Sequence, residues 1–150
     1  MRGAYEMAAQ HEPNDSELWQ AWSEFERHEG DNRRSIELLI RAAESDPTNI
    51  GLNSHAANRI TRFMLEEHVR LAERPMWTSA VQQNLEDEWE SLDPDPLARL
   101  GWLHYVNNNV ERARDCALRG LSIDSQHEHC LNIMEKVRQA EADAAARRER

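Results

Sequence analysis

The chain has 150 residues, 39% of them apolar and 31% charged, and its formal net charge at pH 7 is -10. This length corresponds to about one domain, and no run of about 18 apolar residues is present to form a membrane-spanning helix. The acidic balance argues against direct binding of nucleic acid, which normally uses a basic surface to neutralise phosphate.

Proline and glycine separate a series of amphipathic segments, each with the periodicity of a helix rather than of a strand. We predict eight helices, over Arg2 to about His11, Ser16–Glu29, Asn32–Ser45, Asn49 to about Glu73, Pro75 to about Leu92, Leu97 to about Asn107, Val110–Ser122 and Gln126 to about Ala146. The loops between most of these helices are short, so neighbouring helices must lie antiparallel.

The chain also contains an internal repeat. The same spacing of residues occurs twice, as Tyr5-x2-Ala8-x4-Pro13 and as Leu39-x2-Ala42-x4-Pro47. The two copies are 34 residues apart. A fixed period of this size is typical of helix pairs that stack into an array, so we predict an all-α solenoid.

The residues at the repeat positions resemble those of tetratricopeptide repeats (TPRs). The clearest copy is Leu97-x2-Leu100-Gly101-x2-His104 followed by Ala113-x3-Ala117-x2-Gly120. An earlier copy begins Trp19-x2-Trp22-Ser23-x2-Glu26, and its aromatic residues with Phe25 and Glu26 are also similar to half-a-TPR helices. The resemblance implies a right-handed superhelical α-solenoid of antiparallel helix pairs, with small residues where backbones approach and large ones between them.

We expect residues 1–150 to form a single TPR-like domain. Its parts are the second helix of a partial repeat (1–15), a full repeat (16–48), a divergent and longer repeat (49–95), a further repeat (96–125) and a capping helix (126–150). The middle part matches the family only in its helical pattern, and we expect its extra residues between Glu66 and Met76. Because the first part matches only a second helix, we expect the sequence to be a fragment of a longer repeat protein; the alternative is that Met1 is a true start.

The resemblance implies that the first helix of each pair lines a concave groove. The positions that would face it are Gln20, Glu24, Arg27, Asn58, Arg62, Trp102 and Tyr105. Trp102 either packs in the core or lies exposed in the groove, where an aromatic side chain would anchor a peptide. The Lys/Asn/Arg clamp with which some family members hold chaperone C-terminal carboxylates is not matched.

The sequence therefore predicts a protein–protein interaction module, a cytoplasmic adaptor or scaffold that binds a partner protein or peptide. Residues 1–49 carry 11 acidic and 5 basic side chains, which favours a basic partner. An exposed repeat end could also stack on a second copy to form a homodimer. Two alternatives stay open: a half-a-TPR scaffold of an RNA-processing complex, and the recruiting segment of a larger enzyme.

We expect no enzyme activity, no cofactor and no metal. Acidic residues on the helices are typical of solvated faces, and no glycine-rich phosphate loop or nucleophile elbow is present. His127-Glu128-His129-Cys130 is the most ligand-like cluster, and Cys116 could approach it. A structural zinc site, however, needs four ligands, and we expect Cys130 to be a small buried residue instead. Two isolated cysteines favour a reducing compartment.

Overall fold

The computed structural model describes residues 1–149, which form eight α-helices, two single-turn 3-10 helices and no strand. The α-helices are α1 (Arg2–His11), α2 (Ser16–His28), α3 (Asn32–Ser45), α4 (Ile50–Glu66), α5 (Arg74–Asp87), α6 (Pro94–Val106), α7 (Val110–Ile123) and α8 (Glu128–Arg148). The 3-10 helices cover Leu71–Glu73 and Trp89–Ser91. The prediction of an all-α fold is confirmed. No helix among the described residues is both long and apolar enough to cross a membrane.

Polar side chains fix where most of the helices begin. The side chain of the residue before the helix accepts hydrogen bonds from the first turn at Asp15, Asp31, Asn49 and Asn109. His127 caps α8 in the same way, because its Nδ1 accepts from the N–H of Cys130 at 3.4 Å. A cap of this kind contributes about 1 kcal/mol to helix stability.

The turn inside each helix pair has the same backbone geometry three times. It contains a residue with positive φ, which is Gly30 (90°), His68 (50°) or Asn108 (64°). The next N–H then bonds a carbonyl five residues earlier, at 2.9 Å (Asp31 to Glu26), 3.1 Å (Val69 to Met64) and 2.9 Å (Asn109 to His104). This is the Schellman arrangement that ends a helix. The three turns connect α2 to α3, α4 to α5, and α6 to α7, so these helices form three pairs.

The middle pair is longer than the others. The N-cap residues of the first helices are Asp15, Asn49, Asp93 and His127, so successive caps are 34, 44 and 34 residues apart. Part of the added length is in α4, which has 17 residues where α2 and α6 have 13. The rest lies in the connections before and after α5. Only part of the extra length is therefore in the predicted segment between Glu66 and Met76.

Two predicted helices are shorter in the structure. The helix predicted from Asn49 towards Glu73 ends at Glu66, because His68 takes the left-handed conformation and closes the turn. The helix predicted to reach Leu92 ends at Asp87, and a 3-10 turn follows. In that turn the ring of Trp89 stacks on the guanidinium of Arg112 from α7, and the guanidinium carbon lies 4.1 Å from the ring centroid.

The core extends through the whole array in two clusters. The larger one joins α1 to α6 and reaches Cys116 of α7. The smaller one lies between α6, α7 and α8 and contains Ala98, Ala113, Ala117, Cys130, Ile133 and Val137. Trp19 and Trp22 are 7% and 4% exposed, so their predicted packing role is confirmed.

Two glycines allow the helices around the smaller cluster to approach closely. A Cβ atom on Gly101 of α6 would lie 2.9 Å from Cδ1 of Ile133 on α8, and one on Gly120 of α7 would overlap Sγ of Cys130. Atoms at such distances repel, so a larger residue at either position would push the helices apart. The predicted role of these small residues is confirmed.

A polar network around the buried His104 joins the middle pair to the next one. Glu86 of α5 accepts hydrogen bonds from Nε2 of His104 at 2.7 Å and from Nε of Arg112 at 3.1 Å. Burial lowers the pKa of His104, although Glu86 opposes this effect. Burial alone would raise the pKa of Glu86, but the hydrogen bonds from Arg112 and His104 lower it below its ordinary value. The network is thus built for a carboxylate that stays ionised.

Candidate functional site

A cavity of about 430 Å³ opens between α2 and α4, the first helices of two successive pairs. Three of the predicted groove residues, Glu24, Arg27 and Arg62, line it. His55 and Arg59, on the same face of α4, line it as well. We call the surface formed by these five side chains the α2–α4 groove. The structure therefore brings together three of the seven residues that the sequence assigned to a binding surface.

Arg59 is the structural centre of the α2–α4 groove. Its Nη2 donates to Oδ1 of Asn32 at 3.3 Å and to Oγ of Ser35 at 3.2 Å, and its side chain is 15% exposed. Its Nη1 lies 3.7 Å from Oε1 of Glu24, and the other carboxylate oxygen, Oε2, accepts from Nη2 of Arg27 at 2.8 Å. These bonds hold Arg59 in one orientation before any partner arrives, so a ligand does not have to order it.

The α2–α4 groove is locally positive. The charged side chains that line its cavity are Glu24, Arg27, Arg59, Arg62 and Glu66. Burial lowers the pKa of His55, and the charge of Arg59 lowers it further. Burial also lowers the pKa of Arg59; Glu24 opposes this effect, while Arg27 and Arg62 add to it. The guanidinium groups thus repel one another, in a chain whose net charge is -10.

The polar surface continues from α4 onto α6. Oδ1 of Asn58, another predicted groove residue, accepts a hydrogen bond from Nη1 of Arg99 at 3.0 Å. A fourth arginine therefore stands beside the α2–α4 groove, on the next first helix along the array. Gln20 is half-buried on α2 and lies outside the cavity.

Trp102 and Tyr105 lie apart from the other predicted groove residues. Their rings meet edge to face, with centroids 5.6 Å apart, and both are half-buried against the smaller core cluster. Helix α8 packs on α6 and occupies the place that the first helix of a following repeat would take. Trp102 therefore packs in part against the smaller core cluster and is not fully exposed.

Sequence reasoning missed His55, Arg59 and Arg99. The first two share a helical stripe with Arg62 and Glu66, at spacings of four, three and four residues. That stripe was visible in the sequence, but assigning it to the groove required knowing how α4 is rotated about its own axis. One residue of error rotates a side chain by about 100°, which is enough to choose Asn58 where Arg59 is central.

The ligand-like cluster near the start of α8 has a structural role. Nε2 of His127 is 2.7 Å from Oδ1 of Asp95, which ties α8 to the beginning of α6. Cys116 and Cys130 are buried free thiols, and burial raises their pKa values to about 12 and about 11. Such thiols stay protonated at neutral pH and are poor nucleophiles and poor metal ligands. Within residues 1–149 no three His, Cys, Asp or Glu side chains are grouped so that they could hold a metal ion.

Comparisons with known proteins bear on the fold. No family model matches the chain, and no curated protein matches its sequence. The first TPR domain of human RPAP3, solved by NMR, is similar in structure, with a TM-score of 0.59 and 15% identity over 87% of this chain and 95% of that one. The crystal structure of MamA is similar with a TM-score of 0.51 and 15% identity over 95% and 88%. The chain therefore has a TPR-like fold, as the resemblance of its motifs implied.

Proposed function

We propose that this chain is a protein-interaction module that binds a segment of another protein in the α2–α4 groove. The observation that carries the proposal is the preformed, arginine-rich surface on the first helices of a TPR-like array. Solenoids present such extended surfaces because each repeat contacts only its neighbours and leaves one face of its helices free. Little of the chain has to become ordered on binding, which reduces the entropic cost.

We propose further that the bound segment carries carboxylates. The basic partner expected from the sequence followed from the charge of the whole chain. A partner docked in the groove meets Arg27, Arg59 and Arg62 instead, and over this distance their local field outweighs distant charges that salt screens within about 10 Å. Arg27 and Arg62 are exposed, so they can form bidentate hydrogen bonds with a carboxylate.

The alternative of an RNA-processing scaffold draws no support from the groove. It depended on the aromatic pattern of α2, and in the structure these residues serve packing. Glu26, the acidic member of that pattern, is 2% exposed and accepts from Nε of Arg2 at 2.7 Å. A recruiting segment of a larger enzyme would use the same groove, so it is a variant of the present proposal. Both cysteines are free and buried, which suits the reducing cytoplasm, where we propose that the chain acts.

The test is selection of a random dodecapeptide library on the immobilised protein. We expect the enriched sequences to be rich in Asp and Glu, and we expect at least one acidic sequence family enriched on the wild type to be lost when the same library is selected on the Arg27→Glu/Arg62→Glu variant. Lys136→Glu is the matched control, since it places a new carboxylate on an exposed position of α8, away from the groove. Enrichment of Lys- and Arg-rich peptides, or enrichment of the same acidic sequence families on the groove variant and on the control, would contradict the proposal.

A further inference from the structure

A second and larger cavity, of about 790 Å³, lies mainly among the second helices α1, α3 and α5. Its volume is within the range of about 300–1,000 Å³ that is typical of ligand pockets. Three of the five tryptophans of the chain line it, namely Trp19, Trp22 and Trp77. It exists because α1 packs mainly on α2, through Tyr5 against Trp22 and Phe25, and leaves the outer face of α3 uncovered. We call this cavity the α1–α3 cleft.

Each of these tryptophans is covered by an arginine from α3. The guanidinium carbons lie 5.0 Å (Arg41 on Trp19), 5.1 Å (Arg34 on Trp22) and 4.9 Å (Arg33 on Trp77) from the ring centroids. A guanidinium stacked on a ring keeps its N–H groups in its own plane, where they can bind a carboxylate with two hydrogen bonds.

Two of these arginines have bonding capacity to spare. Arg41 forms no hydrogen bond or ion pair within residues 1–149, and Arg34 has one side-chain partner, Oε2 of Glu37 at 3.2 Å. Both are exposed at the surface of the cleft. Their stacking on tryptophan restricts the side chains in advance, so that less freedom is lost when an anion binds.

One tryptophan that lines the cleft, Trp22, has a buried indole N–H without a hydrogen-bond partner among the described residues. Nε1 of Trp22 has no acceptor within the described residues, and the side chain is 4% exposed. The neighbouring Trp19 shows the usual arrangement, in which the indole N–H donates to the carbonyl of Pro13 at 2.8 Å. Buried donors without partners are rare in folded proteins. Because Trp22 lines the cleft, an oxygen atom of an occupant could supply the acceptor that this N–H lacks.

We propose that the α1–α3 cleft is a second protein-binding site, separate from the α2–α4 groove, that takes an extended acidic segment of a partner. Arg34 and Arg41 are seven residues apart on α3, which is about 10 Å along a helix. An extended chain covers about 10 Å in three residues. The geometry therefore fits a segment with Asp or Glu at positions i and i+3, with a carbonyl between them accepting from Trp22.

The acidic residues of the cleft disfavour the binding of nucleic acid. Glu6, Glu37 and Glu44 also line it. Three arginines and three glutamates line the cleft, so the continuous phosphates of a nucleic acid would be repelled more strongly than a peptide with two spaced carboxylates. Protein, rather than nucleic acid, is the fitting occupant. With one site on the first helices and one on the second helices, the chain can hold two protein segments at once.

The experiment starts from the Arg27→Glu/Arg62→Glu variant, in which the α2–α4 groove is disabled. Selection of the dodecapeptide library on this protein should enrich sequences with two acidic residues three positions apart. The best peptide is then synthesised and titrated into the same variant, with tryptophan fluorescence as the signal, because most of the tryptophans line the cleft. Arg41→Gln should weaken binding about tenfold, as expected for one charge-assisted pair. Arg41→Lys should weaken it less, and Trp22→Phe should weaken it by removing the N–H while keeping a ring.

Arg138→Gln is the matched control, because Arg138 is exposed on α8 and, within residues 1–149, pairs only with Glu135. Failure to enrich any peptide on the groove variant would overturn the proposal, and so would a peptide that binds Arg41→Gln and Arg138→Gln equally well. Either result leaves the α2–α4 groove untouched, because that proposal is tested with Arg27 and Arg62. Thermal unfolding of each variant verifies that its fold is kept.

Discussion

Replacement of Gly101 by alanine should destabilise the protein, although the same change usually stabilises a helix. Alanine in a helix interior is favoured over glycine by about 0.5–1 kcal/mol. At this position the new Cβ would lie 2.9 Å from Cδ1 of Ile133 and 3.3 Å from Cβ of Cys116, so α6 has to move away from its neighbours. Overpacking of this kind costs about 1–3 kcal/mol. We expect a net loss of about 1 kcal/mol, which lowers the melting temperature by about 2–4 °C.

Ile133→Val supplies the decisive partner for this change, since it deletes the Cδ1 atom that Gly101→Ala would meet. Alone it should cost about 0.5–1.5 kcal/mol. In the double variant the two costs should not add, and urea unfolding of all four proteins should give a favourable coupling of about 1 kcal/mol. The rescue should be partial, because the approach to Cys116 remains.

Gly51→Ala is the matched control, because Gly51 is exposed in the first turn of α4 and its nearest foreign atom would be Oδ1 of Asn49 at 3.6 Å. This variant should melt at a higher temperature than the wild type. If Gly101→Ala also raised the melting temperature, or if the coupling with Ile133→Val were zero, the close approach of α6 and α8 described above would be refuted.

Further predictions concern the core and the polar network of Glu86, His104 and Arg112. Trp22→Ala should cost about 3–5 kcal/mol in urea unfolding, because the side chain is almost fully buried, and an unchanged midpoint would contradict its place in the core. The free energy of unfolding should fall as the pH drops below about 6.5. Burial lowers the pKa of His104 in the native state, so below this pH the unfolded chain binds a proton at His104 more readily than the native chain does. His104→Gln, which can still donate to Glu86, should reduce this slope but not abolish it, since His55 is shifted in the same direction. The stability that comes from the lowered pKa of Glu86 is present above about pH 4.3 and is lost at lower pH, as the native carboxylate is protonated.

The sequence allowed the fold to be predicted because its signals are local. Trp19 and Trp22 recur at helical spacing, and Gly101 and Gly120 occupy positions where only small residues fit. Each of these constraints is expressed within a few residues of the chain, and the repeat period connects them. The position of α8 as a cap followed from the same period.

The binding surfaces could be predicted only in part because they depend on tertiary arrangement. Glu24, Arg27 and Arg62 were found from repeat register, but Arg59 was not, since the sequence does not reveal the rotation of α4 about its own axis. The same register could not decide whether Trp102 packs or lies exposed, and in the structure it is half-buried against the smaller core cluster. The α1–α3 cleft joins residues as distant as Glu6 and Trp77, and no local pattern connects them.

The division of the core into two clusters has a consequence for how the molecule opens. Helix α6 and Cys116 of α7 also belong to the larger cluster, whereas the buried residues of α8 lie in the smaller cluster alone, so α8 is a candidate unit of local unfolding. The contact of His127 Nε2 with Oδ1 of Asp95, at 2.7 Å, and the ion pair of Arg114 with Glu141 resist this opening. Amide hydrogens of α8 should therefore exchange well before those of α3 and α4. A protease that trims the open form would leave the α2–α4 groove intact on the remaining chain.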